Sequence, residues 1–309
     1  MEIPVLDATG LDGGAPAELV SAFRRAYGDV GFAYLINHGI PAGLIDRVFD
    51  ASRRFHAMPL AAKAAIALDQ NHRGYIAIDT STDVNSKLAD VTRPNQSASF
   101  MMMADEAPDP ARYLSGHNQW PALEGFRAPV EAYNAALTAL ARRLIDIALA
   151  SFGADETARA AFDRPTTWLR LLHYPPQPPD SPEDLYGSAP HTDFGCLTLL
   201  AQDATGGLQV QTPQGGWIDV PPRPDALVVN TGDMLHRMSN GALCATPHRV
   251  INRSGRERFS VPFFYDPDVA FTVAPLPGTG APRFEPLDFG DFLRAELQAG
   301  YDAHKPDRA

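Results

Sequence analysis

The chain has 309 residues, 45% of them hydrophobic and 20% charged, enough apolar material for a sizeable core in one large domain or two small ones. Its 37 acidic residues against 26 basic ones leave a net charge of −11, which disfavours a phosphate backbone or an anionic lipid surface as a partner. No stretch reaches the roughly 18 uncharged apolar residues of a membrane span, the N-terminus lacks the marks of a secretory signal, and two cysteines, Cys196 and Cys244, are too few for a disulfide framework. These features predict a soluble cytoplasmic protein, monomer or homodimer, that binds neither nucleic acid nor membrane.

The 28 prolines and 24 glycines call for many short elements rather than a helical bundle. Residues 3–6 are strand-like, and Leu19, Val20, Phe23 and Tyr27 follow Pro16 at helical spacing. A buried strand is expected over 31–36, ended by the turn Asn37-His38-Gly39; Pro41 starts a helix running to about His56 and Pro59 a short third one. Residues 69–120, with a polar cluster at 79–83 and little periodicity, read as a long excursion over a site. Over 121–152, Phe126, Val130, Tyr133, Leu137, Leu140, Leu144 and Ile147 recur at alternating steps of four and three, the face of a core helix. The pattern then changes to short strands at 168–174, 196–201, 208–211, 217–220, 226–230, 248–251 and 259–265, which means a sandwich or barrel, before 287–301 turns helical again.

His191-Thr192-Asp193 precedes one of these strands. In extended backbone, positions i and i+2 point the same way, so His191 and Asp193 can offer a nitrogen and a carboxylate oxygen to one metal. A second histidine, His248, opens a later strand, and two His with one carboxylate make the facial set of non-haem Fe(II) oxygenases, which leaves positions open for co-substrate and oxygen. Ten residues further on, Arg258-Phe259-Ser260 repeats the i, i+2 arrangement, able to present a guanidinium fork and a hydroxyl to a carboxylate.

With these residues in this order, the chain resembles the Fe(II)- and 2-oxoglutarate-dependent dioxygenases, in particular the isopenicillin N synthase-like family. Further landmarks are Ile3-Pro4-Val5-Leu6-Asp7, the stretch 31–40, His173-Tyr174-Pro175-Pro176, Gly207-Leu208-Gln209-Val210, Asn230-Thr231-Gly232-Asp233 and Pro262-Phe263-Phe264. The resemblance implies a mainly β fold with packed helices around a double-stranded β-helix, or jelly-roll, core. It also implies that His191, Asp193 and His248 bind Fe(II), that Arg258 and Ser260 hold the distal carboxylate of 2-oxoglutarate, and that Tyr174 adds a hydrogen bond to it. Where many plant members have Asn-Tyr-Tyr-Pro, this chain has Leu172-His173-Tyr174-Pro175, so any contact from that Asn is lost. The implied reaction uses O2, with ascorbate as reductant, to decarboxylate 2-oxoglutarate to succinate and CO2 while a C–H bond of a small molecule is hydroxylated, desaturated or used in ring closure. The implied organisation is a helical or mixed region over 1–120 that packs on the core and shapes the substrate site, and a catalytic core over 121–309 with its supporting helix and C-terminal helix, together one compact unit.

Other readings compete at particular residues. His236 is the rival third ligand, but it lacks an Arg-x-Ser partner ten residues on, and Arg237-Met238-Ser239 precedes His248 instead of following it. His38 suits a turn, His173 alternates away from an inward Tyr174, and Asn230 and Asp233 read as turn residues closing a hairpin. Phe264, Arg73 and Asn95 are candidates for the substrate pocket. Three alternative functions remain at this level: an oxidase of the same family that uses no 2-oxoglutarate, a non-catalytic binding protein on the same fold, and a structural zinc site, which would normally be closed by four Cys or His ligands.

Overall fold

A computed structural model describes residues 1–305 except 83–87, 89–90, 92, 155, 179 and 183. Asp83, the last member of the polar cluster at 79–83, therefore lies outside the described residues. In chain order the larger elements are strand β1 (Val5–Asp7), helix α1 (Ala17–Asp29), β2 (Phe32–Ile36), α2 (Ala42–His56), α3 (Leu60–Ala64), β3 (Gly74–Ile76), β4 (Ala98–Met103), α4 (Arg127–Ser151), β5 (Thr166–Tyr174), β6 (Ser188–His191), β7 (Leu197–Gln202), β8 (Leu208–Gln211), β9 (Trp217–Asp219), β10 (Ala226–Thr231), α5 (Asp233–Met238), β11 (His248–Val250), β12 (Arg258–Asp266) and α6 (Phe289–Gly300). Pro16, Pro41 and Pro59 each stand immediately before a helix, where the missing N–H costs nothing.

The strands form two facing sheets, the jelly roll that the sequence implied. The major sheet runs β1-β2-β10-β7-β12-β5-β4-β3 and the minor one β6-β11-β8-β9. A second core of Phe32, Tyr34, Leu172, Tyr174, Leu200, Leu208, Val210 and Val250 joins the two inner faces. The long helix α4 buries Val130, Tyr133, Leu137, Leu140, Leu144 and Ile147 against the back of the major sheet, together with α1 and α2. Each fully buried side chain of this kind removes apolar area worth about 2 kcal/mol from water, so α4 holds the sheet flat against its helices.

Residues 1–120 do more than clad the core. They supply β1, β2, β3 and β4 to the major sheet, with β2 pairing β10 and β4 pairing β5. The expectation of an irregular excursion over 69–120 is thereby corrected, since β3 and β4 lie within it. All six residues of β4, Ala98-Ser99-Phe100-Met101-Met102-Met103, are buried, so the strand shows no polar alternation and has no β-branched residue to announce it. Cys196 and Cys244 are both free thiols.

Candidate active site

The metal-ligating candidates meet because of strand register. His191 closes β6, His248 opens β11, and the two are direct cross-strand partners, their rings 4.3 Å apart. Asp193 follows where the chain leaves the minor sheet and turns toward β7. That turn needs Gly195: a Cβ there would lie 1.5 Å from the Asp266 carboxylate, whose Oδ1 accepts from the Cys196 N–H. Backbone bonds from Asp233 N–H to the Asp193 carbonyl (2.8 Å) and from Met234 N–H to the Gly195 carbonyl (2.9 Å) fasten the loop to the start of α5.

The three side chains are preset. His191 Nδ1 is 2.7 Å from the Ala189 carbonyl and His248 Nδ1 3.2 Å from that of Thr246. A carbonyl only accepts, so each Nδ1 carries the proton and each Nε2 presents a lone pair. Asp193 Oδ2 accepts from Asn230 Nδ2 at 2.6 Å and from the Thr198 hydroxyl, while Oδ1 lies 3.7 Å from His191 Nε2 and 3.6 Å from His248 Nε2. Burial would raise the Asp193 pKa, but the positive charge that His248 and His191 carry when protonated, with the hydrogen bonds from Thr198 and Asn230, holds it below the ordinary carboxylate value. Three electron-rich atoms thus converge, with potential ligand atoms of all three residues within 4.8 Å of one another. Two imidazole nitrogens and a carboxylate oxygen facing one point are the donor set of a metal ion, and this N2O set with no fourth protein ligand among the described residues fits a ferrous ion with open positions.

Arg258 and Ser260 sit on β12 in the opposite sheet. Arg258 is 1% exposed; its Nε donates to the Gly206 carbonyl (2.6 Å), Nη1 to Ser260 Oγ (3.2 Å) and Nη2 to Gln202 Oε1 (3.1 Å). None of these partners carries a charge, so the guanidinium is oriented yet uncompensated, the state suited to receiving a carboxylate. Tyr174 is its cross-strand partner on β5, and its ring lies 4.5 Å from the guanidinium carbon, a platform under the fork.

Between the sheets opens a cavity of about 200 Å³, lined by His191 and Asp193, by alternate residues of β5, by Phe264 of β12, by Asn95 and its neighbours, and by Phe292, Glu296 and Leu297 of α6. Phe264 and Asn95 therefore line it as the sequence suggested, and Asn95 Oδ1 also accepts from the Ala189 N–H that lies next to the metal site. Arg73 does not line the cavity. It is 1% exposed and its guanidinium donates to the carbonyls of Asn71, Leu114 and Ala104, so it ties the N-terminal loops together instead of meeting substrate.

His236 stands apart from the centre, on α5, with Nδ1 bonded to the Leu243 carbonyl. His38 accepts from the Ile40 N–H within its turn, and His173 faces the helices, stacked on Phe259. Asn230 departs from its expected role: it belongs to β10, which pairs β2 and β7, and it orients Asp193 rather than closing a hairpin. Thr198, Gln202, Trp168 and Arg170 were not singled out from the sequence either. For Trp168 and Arg170 the signal existed, because an inward Tyr174 places every second residue of its strand on the same face.

This geometry agrees with what known proteins show. Residues 165–267 match the 2OG-Fe(II) oxygenase superfamily, and residues 3–123 match the family described as non-haem dioxygenase in morphine synthesis N-terminal. The 2-oxoglutarate-Fe(II) type oxidoreductase hxnY of Emericella nidulans is 36% identical over 99% of this chain and 93% of its own. The chain belongs to the Fe(II)- and 2-oxoglutarate-dependent oxygenase superfamily. The 2-oxoglutarate-dependent dioxygenase citB of Monascus ruber is 35% identical, over 86% of this chain and 84% of its own. Among solved structures, the full-length Neurospora crassa protein crystallised with alpha-KG and thymine superposes with a TM-score of 0.84 at 28% identity, covering 96% of both chains. The rice dioxygenase for auxin oxidation does so at 0.76 and 27%, covering 98% of both. As a member of this superfamily, the protein is a non-haem iron oxygenase that uses Fe(II), 2-oxoglutarate and O2 to oxidise a C–H bond of a small molecule.

Proposed function

We propose that His191, Asp193 and His248 hold the iron, that Arg258 and Ser260 bind the distal carboxylate of 2-oxoglutarate above the Tyr174 ring, and that the primary substrate occupies the cavity beside Phe264 and Asn95. The observation that carries this is the pairing of His191 with His248 across β6 and β11 while Asn230 and Thr198, from the facing sheet, turn one oxygen of Asp193 toward both imidazoles. Bound iron supplies the redox chemistry that couples decarboxylation of 2-oxoglutarate to attack on a C–H bond. The protein's part is positional. The Nδ1–H bonds fix the tautomer and direction of both imidazoles, the Arg258 fork sets the co-substrate, and the apolar walls from Leu172, Phe264 and Phe292 keep water from the reacting carbon.

All of these groups come from one chain, so a monomer suffices for the reaction, and two free thiols together with a ferrous centre suit a reducing cytoplasm. The test is incubation with Fe(II), ascorbate and 2-oxoglutarate labelled at C1 and, separately, at C5, against a library of small molecules. Substrate-dependent release of labelled CO2 and succinate is expected; consumption of O2 with a substrate but without either product would instead mark an oxidase that takes all its electrons from substrate. In parallel, iron content of anaerobically purified protein should fall in His191→Ala and His248→Ala and stay unchanged in His236→Ala, and the reverse pattern would remove the site assignment.

A further inference from the structure

The face of β5 that looks into the cavity carries Trp168, Arg170, Leu172 and Tyr174. Arg170 is the only lysine or arginine among the described residues that line the cavity, in a chain of net charge −11. Its Nε and Nη2 reach Ser99 Oγ at 3.3 and 3.1 Å, and Nη1 reaches Tyr301 Oη at 3.3 Å. Both acceptors are neutral, all three bonds are long, and three of the guanidinium's five N–H groups are used, which leaves two. No carboxylate among the described residues forms an ion pair with it, whereas the partly buried Arg112 is met by two, Glu106 and Asp268.

Two guanidiniums thus stand oriented with no ion pair among the described residues: Arg170 on the cavity wall, and Arg258 next to the wall residue Tyr174. Arg258 lies against Tyr174, and Arg170 is four residues from Tyr174 on the same strand, about 13 Å along it. A five-carbon co-substrate anchored at Arg258 does not span that distance, so the charge of Arg170 is directed at a different molecule. Next to it, the Trp168 and Phe264 rings meet edge to face at 6.2 Å and line the same cavity. Asp233 and Glu296 line it too, so a multiply charged anion such as a phosphate would meet stronger repulsion than a single carboxylate taken up by one fork.

We propose that Arg170 selects the primary substrate, a small monocarboxylic acid with a flat apolar body, its carboxylate held by the free N–H groups of Arg170 and its body lying against Trp168 and Phe264. The proposal rests on the oxygenase reading above and deepens it by naming the class of substrate. Ser99 from the N-terminal region and Tyr301 beyond α6 position the fork, so the selecting group depends on both segments that flank the core.

The test uses protein loaded with Fe(II) and 2-oxoglutarate under strict exclusion of oxygen, so that binding is read without turnover and the co-substrate site is already filled. Benzoate, 3-phenylpropanoate and 2-naphthoate are each titrated against the corresponding primary amide, by calorimetry and by tryptophan fluorescence, since Trp168 lines the cavity. At least one acid is expected to bind about ten-fold or more tightly than its amide. Arg170→Gln is expected to erase that preference and Arg170→Lys to keep part of it, with 2-oxoglutarate binding unchanged in both. Acids and amides binding alike, no acid binding at all, or a preference that survives Arg170→Gln overturns the proposal. If 2-oxoglutarate itself fails to load, the oxygenase reading fails instead, and the same acid and amide titrations on metal-free protein decide the role of Arg170 separately.

Discussion

The two ends of the cavity are built in opposite ways. At the metal end every ligand atom has its direction set by a hydrogen bond on the far side of the same group: both imidazoles donate Nδ1–H to a carbonyl two residues back, and Asp193 commits Oδ2 to Asn230 and Thr198. At the Arg170 end the donors outnumber the acceptors, and those acceptors come from Ser99 of β4 and Tyr301 after α6, outside the β6 to β12 part of the jelly roll. Saturated polar atoms mark the part that performs a reaction common to the superfamily, where a misdirected ligand is fatal. Spare donors mark the part that chooses a substrate, where the missing partner arrives with the ligand.

The largest effect should come from breaking the metal end. Asp193→Ala or His248→Ala should weaken iron binding by more than about 100-fold and abolish succinate release while the circular dichroism spectrum stays that of the parent, since a ligand contributes more than the outer partners that orient it. Arg258→Gln should come next, raising KM for 2-oxoglutarate about ten- to a hundred-fold with iron content intact, because a charge-assisted fork is replaced by a neutral amide. Asn230→Ala separates orientation from ligation: iron affinity should drop about ten-fold, at the low end of the range for such supporting groups because Thr198 still holds Oδ2, while KM for 2-oxoglutarate stays put. An unchanged iron affinity in Asn230→Ala would show that the saturated shell around Asp193 is ornamental and would dissolve the contrast between the two ends.

A smaller effect concerns Asp266, which lines the cavity and accepts from Trp168 Nε1 and the Cys196 N–H. Burial, opposed by those two hydrogen bonds and reinforced by Asp193, lifts its pKa from 3.8 to about 7. The folded state therefore keeps a proton that the unfolded chain releases. The stability this confers is full below about pH 4, shrinks as pH rises, and is gone above about pH 7, a total on the order of 4 kcal/mol at most. Chemical denaturation across pH 4 to 8 should show that decline in the parent protein and a flatter profile in Asp266→Asn; equal slopes in the two would remove the account of Asp266.

Much of this was readable before any coordinates. The prolines at 16, 41 and 59 announced three helix starts because their ring suits only the position before or at the first turn. The short strands from 168 onward, His191-x-Asp193, His248 and Arg258-x-Ser260 were legible because a strand's two-residue period is a local rule that ties spacing to direction. What could not be read was every relationship between segments far apart in the chain. That β4 joins β5, that Asn230 reaches Asp193 and that Ser99 and Tyr301 hold Arg170 follow from pairings over 37 to 131 residues. The sequence by itself determined the chemistry that the family shares: an iron-ligand set and a strand-rich core, with Arg258-x-Ser260 as the candidate carboxylate anchor. Only the tertiary structure decided which arginine is enclosed in loops, as Arg73 is, and which faces the cavity, as Arg170 does. The reason is physical: a guanidinium has the same composition in both places, and its role depends on whether the surrounding fold encloses it among backbone carbonyls, as at Arg73, or opens it to a cavity, as at Arg170.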